Sequence, residues 1–310
     1  MKNKCPPEAP MIHRGELATR RTFLRRGALF LAPGLGWIVV FLFIPLVALL
    51  VVSFAERGSH GGVVWQFAFL NLRRLAGYSF FGWSNDNLII LLRSLRIGVV
   101  TTVWCIALAY PLAFFLASRP PRTRNLWLTT LLVPFWTNLV IRTYAWQLVF
   151  GSGTPLSKFA IQLGFIPPGG GLFPSPFAVY VGMIATFLPF VTLPVYAAVE
   201  KLDWSLIDAV SDLYGGPVRT FYHGILFQTL PGLQVGVTLT LVPAMGMFVV
   251  PDLLGGARYM LVGNLIQQQI TTSNDLPYGA MISLALVLMT LVLLWFTHSR
   301  GLDKHSGGRT

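Results

Sequence analysis

The chain has 310 residues, of which 54% are hydrophobic and only 11% charged, less than half the charged share of an ordinary soluble domain. That composition excludes a water-soluble globule and makes lipid the neighbour of much of the surface. The net charge of +12, from 23 Lys and Arg against 11 Asp and Glu, fits nucleic acid or a membrane topology, and the placement of the charges decides between them.

Residues 1–27 form a basic tail. Within it, Thr19-Arg20-Arg21-Thr22-Phe23-Leu24-Arg25 has the form of a twin-arginine export signal, and Ser53-Phe54-Ala55 that of a cleavage site. The apolar run between them, Ala28 to Ser53, is longer than a signal core of about 7–15 residues, and further apolar runs follow it, so it reads as a first span. A helix crossing about 30 Å of hydrocarbon needs roughly 20 apolar residues. Six runs qualify: Ala28 to Ser53, Ile97 to Ala117, Leu126 to Phe150, Pro176 to Val199, Gly224 to Val250 and Leu276 to Thr297. Lys and Arg beside a span resist translocation. They gather in the N-terminal tail, at Arg119, Arg122 and Arg124, at Lys201 and Arg219, and at Arg300, Lys304 and Arg309. That pattern places both termini in the cytoplasm and explains the positive charge without nucleic acid.

The loops and breaks carry further information. Glu56 to Arg96 reads as an outer loop, whose Trp65, Phe67, Phe69 and Trp83 suit the membrane interface. Short outer helices are expected at Leu156 to Phe165 and at Met260 to Ile270, both too short to span. Proline falls inside nearly every span and kinks it, so a packed bundle with an internal path is expected. Gly232 and Gly236 form a GxxxG pair that permits close helix approach, between spans or between chains. Arg142 is the one charge in the middle of a span, and it must meet carbonyls, water or headgroups. Between Glu200 and His223, Trp204, Leu206, Ile207, Val210 and Leu213 predict an amphipathic helix over about Ser205 to Tyr214, capped by Asp203 and ended by Gly215. Such a helix lies on the membrane or docks into a partner.

Several chemistries find no residues. Cys5 and Cys105 are too few and too far apart for a disulfide framework, the five histidines have no zinc-protease spacing, and no phosphate-binding GxxxxGK[ST] loop occurs. The absence of a mid-span acid argues against an ion-coupled secondary carrier, which remains the alternative from another class. A membrane enzyme would need a catalytic cluster that the scattered His and acidic residues do not form.

Three long segments and one short one carry a resemblance. They are Leu132-Val133-Pro134-Phe135-Trp136-Thr137-Asn138-Leu139-Val140-Ile141-Arg142-Thr143-Tyr144-Ala145-Trp146, Leu193 to Asp203, Pro243 to Gly256 continuing through Met260 to Ile266, and Asp208-Ala209-Val210-Ser211-Asp212-Leu213. Together they resemble the permeases of ATP-binding-cassette importers, in particular the spermidine/putrescine type. The coupling loop departs from the family's pattern, with Asp208 for Glu, Val210 for Ala, Tyr214 or a late Gly215 for Gly, and Leu226-Phe227 for Leu-Pro. The resemblance implies an all-α integral membrane protein with six transmembrane helices, a type I importer permease bundle with a cytoplasmic coupling helix. It implies a permease domain over 28–300, a coupling loop at about 200–224 and a cytoplasmic tail at 301–310, in a bacterial inner membrane. It implies a transport subunit without cofactor or metal, whose partners are an ATPase dimer, a second permease subunit forming a heterodimer and a periplasmic substrate-binding protein. The expected coupling residues are Asp208, Ala209, Val210, Asp212, Leu213, Gly215 and Gly216. The expected path residues are Trp136, Asn138, Arg142, Tyr144 and Asp252. The substrate is expected to be a polyamine or another small organic solute.

Overall fold

The computed structural model describes residues 14–58, 61–79, 82–214, 216–256 and 259–302. Cys5, Gly215, Arg258 and the tail beyond Leu302 lie outside the described residues, and with them Gly215's expected role in ending a helix. The chain divides into two units, residues up to Val51 and residues from Val52 onward. The body of the first is helix α1 (Arg14–Ser53), which starts inside the basic segment and continues through Pro33 and Pro45.

Among the described residues, five helical segments are long and apolar enough to cross a membrane: Leu31–Ser53, Asp86–Ala117, Pro176–Val199, Pro217–Gly246 and Leu276–Trp295. The remaining apolar run, Leu126 to Phe150, is divided. Helix α4 (Pro121–Leu132) gives way to a 3-10 turn (Val133–Trp136), and helix α5 (Leu139–Phe150) restarts after it. Each helix has 12 residues, about 18 Å, well short of a full crossing. Pro134 supplies no N–H to continue the first helix. Thr137 and Asn138 then adopt extended backbone, and the Asn138 carboxamide oxygen accepts from Val140 N at 2.8 Å, capping the second.

Helix α2 (Leu70–Leu75) lies between two short antiparallel ribbons, β1 (Glu56–Arg57) with β2 (Val63–Val64) and β3 (Tyr78–Ser79) with β4 (Gly82–Trp83). Buried Asn71 donates to the carbonyls of Ser53 and Ala55 at 3.0 and 2.8 Å. The expected outer loop ends earlier than Arg96, because helix α3 (Asp86–Ala117) takes Arg93 and Arg96 into its first turns. An uncharged run marks the apolar part of a helix and not its end.

Helix α6 (Pro155–Gln162) is the first expected short helix, capped by the Thr154 hydroxyl. After helix α7 (Pro176–Val199) come α8 (Trp204–Tyr214), α9 (Pro217–Thr220), a π-helical turn (Phe221–Leu226) and α10 (Phe227–Gly246). The fifth span therefore begins at Pro217, a favourable first helical residue, and its last expected residues belong to α11 (Val249–Gly255). Helix α12 (Val262–Thr271) is the second expected short helix, and α13 (Leu276–Leu302) completes the chain's described part.

Helices α3, α7 and α10 form the core of the second unit. On α7, Val179, Met183, Phe187, Val191, Val195 and Val199 are buried, a row at every fourth residue that makes one ridge. Cys105, Ala109, Ala113 and Leu116 face it from α3. The GxxxG pair is used within the chain: a Cβ on Gly232 would stand 2.5 Å from the Pro194 carbonyl oxygen and 2.7 Å from Ala198 Cβ, and one on Gly236 would stand 3.1 Å from Val191 Cα. The pair seats α10 on α7. Tyr110 and Thr229 join α3 to α10 through a buried 2.9 Å hydroxyl bond. Buried Ser94 accepts from Val262 N at 2.8 Å and fixes the start of α12.

Candidate functional site

Two places combine accessible surface with an unusual local build. The first is α8, joined to the long spans by short turns. Its start follows from Asp203, whose carboxylate accepts from Ser205 N at 3.0 Å and from the Ser205 hydroxyl at 2.6 Å. These bonds favour the charged carboxylate and hold its pKa below the usual value. Gln228 adds a bond from α10, accepting from Asp203 N at 2.9 Å. The apolar residues then sort by face. Ile207 is buried and lies against Gly224, whose added Cβ would stand 3.6 Å from the Ile207 Cα, with Val210 Cβ at 3.8 Å. Trp204, Leu206 and Leu213 are exposed, Leu213 by 81%, and Asp208, Ala209 and Asp212 share that exposure. Helix α8 is thus seated by one apolar contact and presents a second apolar strip to the outside.

The second place surrounds the break between α4 and α5. Arg142 on α5 donates from Nη1 to the Pro134 carbonyl at 3.0 Å and stands over the Phe135 ring at 5.2 Å. It therefore bridges back across the break, while Asn138 caps the helix that begins there. Trp136 and Tyr144 are exposed. The Gln147 carboxamide donates to the Leu253 carbonyl, tying α5 to α11 next to Asp252. Asp252 borders a cavity of about 300 Å³ whose wall also includes Tyr259, Asn264, Gln267, Gln268 and Thr271. The structure thus brings Trp136, Asn138 and Arg142 together at the break and places Asp252 beyond α5. Among the described residues no ion pair joins Arg142 to Asp252.

Two features are absent from the residues singled out by sequence. One is the polar stripe Asn264, Gln268 and Thr271 on α12, legible as i, i+4, i+7 spacing on a helix with buried Val262 and Leu265 on its other side. The other is the pair of Arg74 with buried Asp275 at 2.8 Å, with the guanidinium 4.0 Å from the Tyr278 ring centroid. It joins α2 to the start of α13 across a separation that local spacing does not reveal. Among the described residues, no group of three His, Cys, Asp or Glu forms a metal site.

Long apolar helices, one broken apolar run, short intervening helices and an exposed amphipathic helix between two spans are the build of a multi-pass membrane protein. The fold agrees with that of a bacterial ABC transporter involved in the import of the acidic polysaccharide alginate, with a TM-score of 0.61 at 14% identity over 93% of this chain and 98% of the other. No family model matches the sequence. Individual relatives do. The chain is 37% identical to the spermidine/putrescine transport system permease protein PotB of Escherichia coli K12 over 87% of its own length and 96% of the relative's. It is 34% identical to PotB of Haemophilus influenzae over 84% and 88%, and 29% identical to the inner membrane ABC transporter permease protein YdcU of Escherichia coli over 69% and 72%. The chain belongs to the family of ABC importer permeases that includes the PotB proteins, and it is a transport subunit.

Proposed function

We propose that this permease carries polyamines, spermidine or putrescine, across a bacterial inner membrane, with both termini in the cytoplasm. The observation that supports the substrate class is the 37% identity to PotB over nearly the whole of both chains. A separate ATPase dimer supplies the energy, a periplasmic binding protein delivers the substrate, and a second permease chain completes the path. In this reading α8 is the coupling helix: Ile207 roots it on the π-turn, and Leu206, Ala209, Val210 and Leu213, with Asp208, Asp212, Gly215 and Gly216, meet the ATPase. Trp136 and Tyr144 line the path, with Asn138 and Arg142 holding the broken span that forms its wall.

The exposed face of α8 makes the test clean, because Leu213 and Leu206 contribute little to the chain's own packing. The tagged chain is isolated in mild detergent as wild type, as Leu206→Glu with Leu213→Glu, and with bulky residues at Gly215 and Gly216. Wild type is expected to bring down an ATPase and a second permease, and the variants to lose the ATPase alone while spermidine uptake falls to background. Full ATPase recovery and uptake in the variants would remove α8 from the coupling role. Wild-type cells that take up no polyamine would remove the substrate assignment.

A further inference from the structure

We propose that the cavity beneath α12 is an ammonium-binding station of the transport path, with Asp252 as the carboxylate that receives one amine end of the substrate; this rests on the polyamine reading above. The described carboxylates are largely committed elsewhere. Asp275 is buried and paired with Arg74, Glu200 is paired with Arg124 at 2.6 Å, and Asp203 caps α8. Asp208 and Asp212 lie on α8, and Asp86 opens α3. Asp252 alone among them borders the cavity of about 300 Å³, and no described side chain bonds to its carboxylate.

The rest of the wall offers acceptors to an amine. Gln267, Gln268 and Thr271 supply neutral oxygens that accept from an ammonium. Asn264 is occupied with structure: its oxygen accepts from Leu261 N at 3.3 Å and its amide donates to the Phe248 carbonyl at 3.2 Å. It fixes the wall that the other groups present. Tyr259 provides an aromatic side, with the Arg93 guanidinium 5.7 Å from its ring centroid. That cation repels an amine and so favours the Asp252 side for the charged end. The volume lies at the small end of ligand pockets, about 300–1,000 Å³, which suits a slender aliphatic amine. The position is also mechanically placed, since Gln147 on α5 holds the residue after Asp252, and a movement of the broken span shifts the carboxylate with it.

The test uses the full chain with its copurifying subunits. Radiolabelled spermidine binding is measured by equilibrium dialysis for wild type, Asp252→Asn and Asp252→Glu, beside spermidine uptake by cells carrying each form. A charge-assisted contact of this kind corresponds to roughly a tenfold to hundredfold change in affinity. Asp252→Asn is expected to lose that much affinity and to transport correspondingly slowly, while Asp252→Glu stays within about threefold of wild type. Equal membrane levels and equal ATPase recovery separate loss of a ligand contact from loss of fold. Unchanged binding and uptake in Asp252→Asn, with wild type transporting spermidine, would overturn the station alone. A wild type that neither binds nor transports spermidine would overturn the polyamine reading and the station together.

Discussion

The contact of α10 with α7 at Gly232 offers a graded test of the core. Replacing Gly232 by Ala places a methyl carbon 2.5 Å from the Pro194 carbonyl oxygen and 2.7 Å from Ala198 Cβ. Ordinary carbon–oxygen contacts are about 3.3–3.6 Å, and neither neighbour can rotate away, because one is backbone and the other a Cβ. The helices must separate. Overpacking of this kind costs roughly 1–3 kcal/mol, and the gain in helix propensity from Gly to Ala returns about 1 kcal/mol, leaving a net loss of about 1 kcal/mol and at most about 2. Gly236→Ala on the same helix meets Val191 Cα at 3.1 Å and Cγ1 at 3.3 Å. A shift of a few tenths of an ångström relieves it, so propensity and crowding nearly cancel. The assay is the thermal midpoint in detergent, followed by the monodisperse peak on fluorescence-detected size exclusion. At roughly 2–4 °C per kcal/mol, Gly232→Ala is expected a few degrees below wild type and Gly236→Ala within about a degree of it. Equal midpoints, or the reverse order, would refute the packing argument.

Two further predictions concern charged groups. Arg74→Met strands the carboxylate of Asp275, which is 1% exposed, at a cost of about 3 kcal/mol; adding Asp275→Asn recovers part of the loss, and strict additivity in this cycle of thermal midpoints would exclude direct coupling. Asp203 is held below its usual pKa by Ser205, so its capping contribution is present above the unfolded carboxyl's pKa near 4 and disappears as pH falls through the lower, folded value. Hydrogen exchange over α8, expressed as protection relative to the intrinsic rate, is expected to be weaker in Asp203→Ala than in wild type at pH 7, with the difference closing in acid; an equal deficit at both ends of the titration would assign it to something other than the charged cap.

What the sequence displayed depended on whether the responsible forces were local. The α7 core row is an apolar run long enough to identify itself, and Asp203 announces α8 because a cap and an amphipathic stripe both act within a few residues. The break in the third run was only partly legible because hydropathy measures length and not continuity: Pro134 signalled a kink, but the restart needed Asn138's side chain to supply a cap. The same residue then reads as a path residue by sequence and as a helix cap by structure. The cavity was half visible. The α12 stripe repeats along one segment, whereas Asp252 and Tyr259 reach it through folding of the chain between Gly246 and Val262. Arg74 and Asp275 stand 201 residues apart, and no spacing rule connects them.

The one mid-span cation of this permease is spent on the protein's own backbone. Irregular backbone at membrane depth survives only where protein or water satisfies it, and at the turn Val133–Trp136 the Pro134 carbonyl accepts from the Thr137 N–H at 3.4 Å and the Thr137 hydroxyl at 2.7 Å. Arg142 adds a further bond to the same oxygen from two turns further along. A guanidinium suits this task because it keeps its charge while its planar fork bonds to carbonyl oxygen and packs on an aromatic ring, here Phe135. Arg142 therefore acts first as the brace of the broken span, and a mid-span positive charge is no argument for an anionic cargo. Arg74, Arg124 and Arg142 are each bound within the protein, and among the described residues no ion pair engages the carboxylate of Asp252. Beyond the break, α5 reaches through Gln147 to the Leu253 carbonyl of α11, the helix that carries Asp252 at the cavity wall.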